Sequence, residues 1–86
     1  MRALEIGSPV LKSLRSRRHR ALCEQLVTAR KALGLSQQQV ATRLKTSQTV
    51  IARIEIGERR IDVVEFIDLA SVLRIDPREV LSQLMA

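Results

Sequence analysis

From about residue 16 onward, the hydrophobic positions of this chain recur with the period of an α-helix. Four of them are spaced three to four residues apart and share one helix face: Leu22, Leu26, Ala29 and Leu33. Gly34 follows directly, and glycine takes the left-handed conformation of a helix end without strain. The pattern therefore predicts a first helix over residues 16–33.

The four later helix starts carry side chains that can cap a helix N-terminus. Three of them have the sequence of a capping box flanked by apolar residues: Ser36 with Gln39, Asp62 with Glu65, and Asp76 with Glu79. Ser47 can cap without a box, Gly57 ends the helix that Ser47 begins, and Pro77 occupies a favoured first helical position. These signals predict helices over residues 36–44, 47–56, 62–73 and 77–85.

The predicted fold is all-α: a compact five-helix domain over residues 16–86, with a helix-turn-helix formed by its second and third helices. Only two residues separate Leu44 from Ser47, so these two helices must cross steeply. The side chains expected to face inward are Val40, Leu44, Ile51 and Ile54, with Ala41 at the closest approach. Residues 1–15 are expected to form a flexible basic arm, in which Leu4–Ile6 could form a short strand.

Composition narrows the class of protein. The net charge is +6, and it is unevenly distributed. Residues 1–20 contain six basic residues and one acidic residue, residues 21–60 contain seven basic and three acidic residues, and residues 61–86 contain two basic and five acidic residues. A basic first part suits DNA, RNA or an anionic membrane. No apolar run is long enough for a membrane span, and an Arg- and Ser-rich start fits a transit peptide only superficially. With one His and one Cys, an enzyme, a metal site or a cofactor site is not expected.

The outward face of the third helix carries the candidate chemistry. Gln48, Thr49 and Arg53 offer an amide, a hydroxyl with a methyl, and a guanidinium, which are groups that read base edges in the major groove. A solvated polar face would look the same. Val50 could touch a thymine methyl or merely be exposed. Nearby bases favour DNA, because phosphate contacts cluster around such helices: Arg43, Lys45, Arg59 and Arg60.

The chain resembles the Xre family of bacterial and phage regulators, which includes the lambdoid repressors and Cro. The resemblance is carried by "LVTARKALGLSQQQVATRLKTSQTVIARIEIGERRID" and "LASVLRIDPREVL", about two thirds of the chain. It implies that Gln37 binds a phosphate and braces the recognition helix, that Ser47 contacts a DNA phosphate, and that Arg30 pairs with Glu55. Two residues depart from the family pattern. Lys45 stands where glycine is usual, which predicts a distorted turn, and Thr46 stands where an aliphatic residue is usual.

The resemblance implies a sequence-specific regulator of transcription that binds double-stranded DNA as a homodimer on an inverted repeat, as a repressor in a bacterial or phage-infected cytoplasm. The alternative is a protein-interaction module, an antitoxin or adaptor whose arm binds a partner. Val80, Leu81 and Leu84 are expected to face the core, and Leu84 and Met85 to supply the dimer contact. Dimerisation through residues 1–13 remains open.

Two further residues have alternative interpretations. Cys23 lies among leucines, which favours a buried thiol over a reactive one. His19 lies in the run "LRSRRHR", where solvated charge is expected. That run is either a solubilising arm or one that contacts DNA, and we favour DNA contact.

Overall fold

A computed structural model describes residues 16–86, and this range folds into five α-helices. They are α1 (Arg17–Ala32), α2 (Gln37–Leu44), α3 (Gln48–Glu55), α4 (Val63–Leu73) and α5 (Pro77–Met85). The predicted all-α fold with a helix-turn-helix at α2 and α3 is therefore confirmed, and each helix lies within two residues of its predicted bounds. The predicted arm over residues 1–15, with its short strand, lies outside the described residues.

The N-terminal caps define where the helices begin. Ser36 Oγ accepts the N–H of Gln39 at 3.0 Å, and Gln39 Oε1 accepts the N–H of Ser36 at 2.8 Å, which completes the predicted capping box. Asp62 and Glu65 form the second predicted box in the same way. Both boxes satisfy backbone N–H groups that a helix leaves without partners, so they fix the two loops that precede α2 and α4.

The predicted capping box at α5 is wrong. Asp76 accepts the N–H of Arg78 at 2.8 Å and also pairs with the Arg78 guanidinium. The backbone explains the difference, because Asp76 has ψ 114° whereas Asp62, which does form a box, has ψ 170°. The Asp76 carboxylate therefore meets the second N–H of its helix rather than the third.

Four of the helices end in the same backbone turn. In each turn one residue has a positive φ. After α1 and α3 that residue is a glycine, Gly34 and Gly57 respectively. After α2 it is Lys45, with φ 60°, and after α4 it is Arg74, with φ 59°. The expected distortion at Lys45 does not occur, since the next N–H, that of Thr46, bonds to Ala41 O at 2.9 Å in a regular left-handed cap. The strain stays in the lysine backbone itself.

The core is aliphatic with one aromatic ring, Phe66, and every helix contributes to it. Ala41 is fully buried where α2 meets α3, and Leu44 packs half-buried against the same cluster. The buried members of the cluster are Leu26, Val40, Ala41, Ile51, Ile54, Phe66, Leu69, Leu73 and Val80. The predicted inward face of the helix-turn-helix therefore agrees with the structure.

The expected inward stripe of α5 is only partly correct. Val80 is buried and Leu84 packs against the core, but Leu81 is 46% exposed. The spacing of four residues between Val80 and Leu84 lets one narrow stripe reach the core. Leu81 points about 100° away from Val80 around the helix and misses that contact.

Candidate nucleic-acid interface

The exposed face of α3 presents the residues predicted to read bases. Gln48, Thr49 and Arg53 are all exposed, with the small Ala52 half-buried among them. Ile51 and Ile54, on the opposite face, are buried in the core. Because one face of this eight-residue helix is anchored in the core, the polar face is presented to solvent in a fixed direction.

Val50 does not belong to this exposed face. Its side chain is half-buried and packs against the core, where it lines a small apolar pocket with Ile61 and Leu69 between α3 and α4. The interpretation of Val50 as a merely exposed residue is therefore wrong, and a thymine contact through its accessible part stays a prediction. Valine here closes the gap beside α4.

An ion pair between α1 and α3 lies behind the exposed face. Arg30 Nε donates to Glu55 Oε2 at 2.6 Å, and Arg30 NH2 donates to Glu55 Oε1 at 3.0 Å. The two side chains are only 12% and 8% exposed. Arg30 NH1 also donates to Leu35 O at 2.8 Å, so the guanidinium joins α1, the loop before α2, and the end of α3. A bidentate pair of this kind fixes orientation as well as distance.

Two glutamine amides extend the ion pair to the surface. Gln37 Nε2 donates to Glu55 Oε1 at 2.8 Å, and Gln37 Oε1 accepts from Gln48 Nε2 at 2.6 Å. The resulting chain, Arg30–Glu55–Gln37–Gln48, is called the amide bridge below. It holds the first exposed residue of α3 against the first residue of α2, and it leaves the oxygen of the Gln48 amide available to a ligand.

The bases nearest the turn between α2 and α3 remain accessible. Arg43 in the last turn of α2 and Lys45 at its end are both exposed. Ser47 Oγ accepts the N–H of Val50 at 3.2 Å as the cap of α3. Phosphate contacts by Arg43, Lys45 and Ser47 remain predictions, and all three residues lie beside the exposed face of α3.

The bases after α3 differ in their partners. Arg59 donates to both carboxylate oxygens of Glu65, at 3.1 and 2.8 Å, and to Arg60 O at 2.9 Å. This guanidinium holds the pKa of the Glu65 carboxyl below its usual value. Arg59 thus braces the loop, and it would have to share its charge between Glu65 and any phosphate. Arg53 Nε lies 4.0 Å from Glu58 Oε1, so an acid stands beside a predicted base-reading residue.

His19 makes a tertiary contact that the sequence did not predict. Instead of lying in solvent, its ring is half-buried, with Nε2 3.2 Å from Gly57 O. A Cβ at Gly57 would lie 3.7 Å from the ring, and Cys23 Sγ is 3.8 Å from Nε2. Burial raises the pKa of the Cys23 thiol. The start of α1 therefore supports the loop that follows the recognition helix, a contact across 38 positions that no local pattern signals.

No helix in the described part of the chain has both the length and the apolar character needed to cross a membrane. Within residues 16–86, no three His, Cys, Asp or Glu side chains come together in a way that could hold a metal ion.

Comparisons with known proteins agree with this geometry. The model of the helix-turn-helix family matches residues 26–80. A solved structure described as an XRE-family like protein from Pseudomonas syringae pv. tomato str. DC3000 is 37% identical, with a TM-score of 0.78 over 91% of this chain and 95% of that one. The restriction-modification controller protein C.AhdI from Aeromonas hydrophila is 32% identical, with a TM-score of 0.64 over 69% and 86%. No curated protein matches.

The anchored two-helix unit, its exposed polar face and its flanking bases define a DNA-binding helix-turn-helix protein. The chain belongs to the XRE family of helix-turn-helix regulators. The family resemblance found in the sequence is therefore confirmed.

Proposed function

We propose that this protein represses transcription by binding an inverted repeat in double-stranded DNA as a homodimer, in the cytoplasm of a bacterial or phage-infected cell. The observation that carries the proposal is the exposed face of α3, which presents Gln48, Thr49 and Arg53 on a helix whose end is anchored by the largely buried Arg30–Glu55 ion pair. The solved relative C.AhdI, described as a controller protein, supports a regulatory role.

Each exposed residue has a role in this proposal. Arg53 would donate in bidentate fashion to a guanine, and Gln48 would pair with an adenine. Thr49 would place its methyl against a thymine or its hydroxyl against a base edge. The Gln48 amide already donates to Gln37 at 2.6 Å, so its orientation is set before DNA arrives and less conformational freedom is lost on binding.

The surrounding bases would hold the domain on the backbone. Gln37, Arg43, Lys45 and Ser47 border α3 at the helix-turn-helix, and Arg59 and Arg60 follow it. If a dimer neutralises about 6–10 phosphates, the log of affinity should fall with the log of salt at a slope of roughly −5 to −9. A slope near −1 would contradict DNA binding as the main activity.

The decisive experiment is a selection from random duplex with the parent protein, Arg53→Ala and Arg78→Ala. Arg78 is a matched control, because it is an exposed arginine on α5 that pairs with Asp76. Arg53→Ala should relax one base pair per half-site at a cost of about 1–3 kcal/mol, whereas Arg78→Ala should return the parental motif. An unchanged motif with Arg53→Ala would refute the recognition assignment.

The same selection tests the protein-interaction alternative. An antitoxin or adaptor that uses this fold only as a scaffold would return no motif with the parent protein. A motif recovered from the parent protein and altered by Arg53→Ala would exclude it.

A further inference from the structure

Three branched aliphatic side chains stand exposed on α4. Val63, Val64 and Ile67 are 72%, 67% and 51% exposed. They lie beside the face of α4 that Phe66 and Leu69 bury in the core. Together the three expose on the order of 300 Å² of apolar surface, which reaches the size of the largest patch on a typical monomer. We call these three residues the α4 patch.

The α4 patch occupies a defined position relative to the recognition helix. A loop connects the end of α3 to Val63, the first residue of α4. In this loop the N–H of Glu58 donates to Arg53 O, in the last turn of α3, at 2.9 Å. Arg59 joins the same loop to Glu65 of α4 at 2.8 Å. Because the loop is tied at both ends, whatever binds the patch also sets the position of the recognition helix.

We propose that the α4 patch is the surface through which two copies of this chain meet on DNA. The inference rests on the proposed function, since two recognition helices must lie on the same side of the dimer, about 34 Å apart, to read an inverted repeat. A two-fold contact at the α4 patch, which the loop connects to α3, fixes the distance between the two recognition helices. A contact at the tip of α5, which is linked to α3 only through the core, fixes it less directly.

The size and charge of the patch suit a second copy. Two patches face to face bury roughly 600 Å² of apolar surface, below the 1,200 Å² or so of a stable complex. Such a pair associates weakly alone and is completed by two half-sites on one duplex. The exposed charges along α4 and its preceding loop are mixed in sign, so two identical faces do not accumulate like charge. They are Glu58, Arg60, Asp62, Asp68 and Arg74.

The first test is sedimentation velocity of the full chain over a range of micromolar concentrations. Val64→Asp/Ile67→Asp places carboxylates on the α4 patch, and Leu81→Asp/Met85→Asp is the matched control on α5, where these side chains are 46% and 75% exposed. The parent and the α5 variant should sediment faster as concentration rises, whereas the α4 variant should remain monomeric. A dimer that is lost only with the α5 variant, or only on deletion of residues 1–15, would overturn the proposal.

The second test uses the inverted repeat that the parent selects and a duplex carrying one half-site. The α4 variant should keep the parental affinity for the single half-site and lose on the order of 100-fold on the repeat. Equal loss on both duplexes, or no loss on the repeat, would overturn the α4 assignment. If the parent binds neither duplex, the proposed function itself fails.

A milder variant guards against an effect on folding. Val64→Thr keeps the side-chain shape at an exposed helical position, and circular dichroism should show unchanged helix content. It should weaken binding to the repeat several-fold and leave the single half-site unaffected. No change in either measurement would count against the patch.

Discussion

Replacing Lys45 and Arg74 by glycine separates backbone strain from DNA contact. Both residues end a helix in the left-handed region, Lys45 at φ 60° and ψ 42°, and Arg74 at φ 59° and ψ 40°. Gly34 and Gly57 occupy the equivalent places after α1 and α3. The two long side chains are therefore not required by the turn, and their backbones carry strain that glycine would release.

The magnitude follows from two opposing terms. A left-handed L-residue costs roughly 1–2 kcal/mol, and the greater freedom of glycine in the unfolded chain offsets about 0.5–1 kcal/mol of that. Each substitution should therefore stabilise the fold by roughly 0.5–1 kcal/mol. For a domain of this size, that raises the melting temperature by about 2–8 °C. The two sites lie at different helix junctions, so their effects should add.

The DNA-binding consequences of the two substitutions differ. Lys45 lies at the turn between α2 and α3, whereas Arg74 lies between α4 and α5. Lys45→Gly should weaken binding to all sequences alike and reduce the salt slope by about 0.9 for each phosphate that the variant no longer neutralises. Arg74→Gly should leave binding unchanged.

Thermal and urea unfolding measure the stability of each variant, and fluorescence anisotropy in a salt series measures DNA binding. Lys45→Ala and Arg74→Ala are the controls, because they remove the side chain but keep the Cβ that causes the strain. They should give no stabilisation. If both glycine variants unfold at lower temperature than the parent, the strain argument is refuted. If Lys45→Gly keeps the parental salt slope, Lys45 touches no phosphate.

Three further predictions concern the interior and the loop that follows α3. Removing either Arg30 or Glu55 alone should cost about 3 kcal/mol or more, because the partner is left charged and buried, and a double-mutant cycle with a coupling energy near zero would contradict this. Because Cys23 is buried and its thiol pKa is raised, a thiol reagent should react slowly until the protein unfolds, and fast labelling of the folded protein would refute that burial. Arg59 lowers the pKa of Glu65, so the pair should stabilise the fold above the unfolded pKa of about 4.3 and lose its contribution as pH falls through the lower folded value. Glu65→Gln keeps the capping box, so its free energy of unfolding in urea should lie below that of the parent by under about 1 kcal/mol at neutral pH. At pH 2 the two free energies should be equal. A difference at pH 2 as large as the one at neutral pH would count against the pair.

The helix bounds were predictable because they depend on local chemistry. A Ser or Asp with a partner three residues later forms its cap wherever the chain leads, and Gly34 ends α1 for the same kind of reason. The exception is Asp76, where a ψ angle of 114° turns the carboxylate toward the N–H of Arg78. The residue types of the cap do not determine that angle, so the local pattern did not distinguish Asp76 from Asp62.

The side chains that sequence reasoning misplaced depend on tertiary contacts. Leu81 and Val50 lie on helices of nine and eight residues, and in so few turns the apolar positions do not define a single buried face. His19 contacts Gly57, which belongs to the loop after α3, and a run of arginines around it gives no sign of that contact. The α4 patch was missed because Val63, Val64 and Ile67 were not distinguished from the core positions among them.

The amide bridge explains how so short a helix can present a reading surface. A helix of eight residues is unstable alone in water, and two buried isoleucines on α3 would allow it to rock about its axis. Glu55 prevents that motion, because its carboxylate accepts two bonds from Arg30 and one from Gln37. Gln37 in turn holds Gln48 at the other end of α3. Burying the ion pair adds little to stability by itself, and its role is to fix the orientation of both ends of α3, which base recognition at hydrogen-bond distances requires.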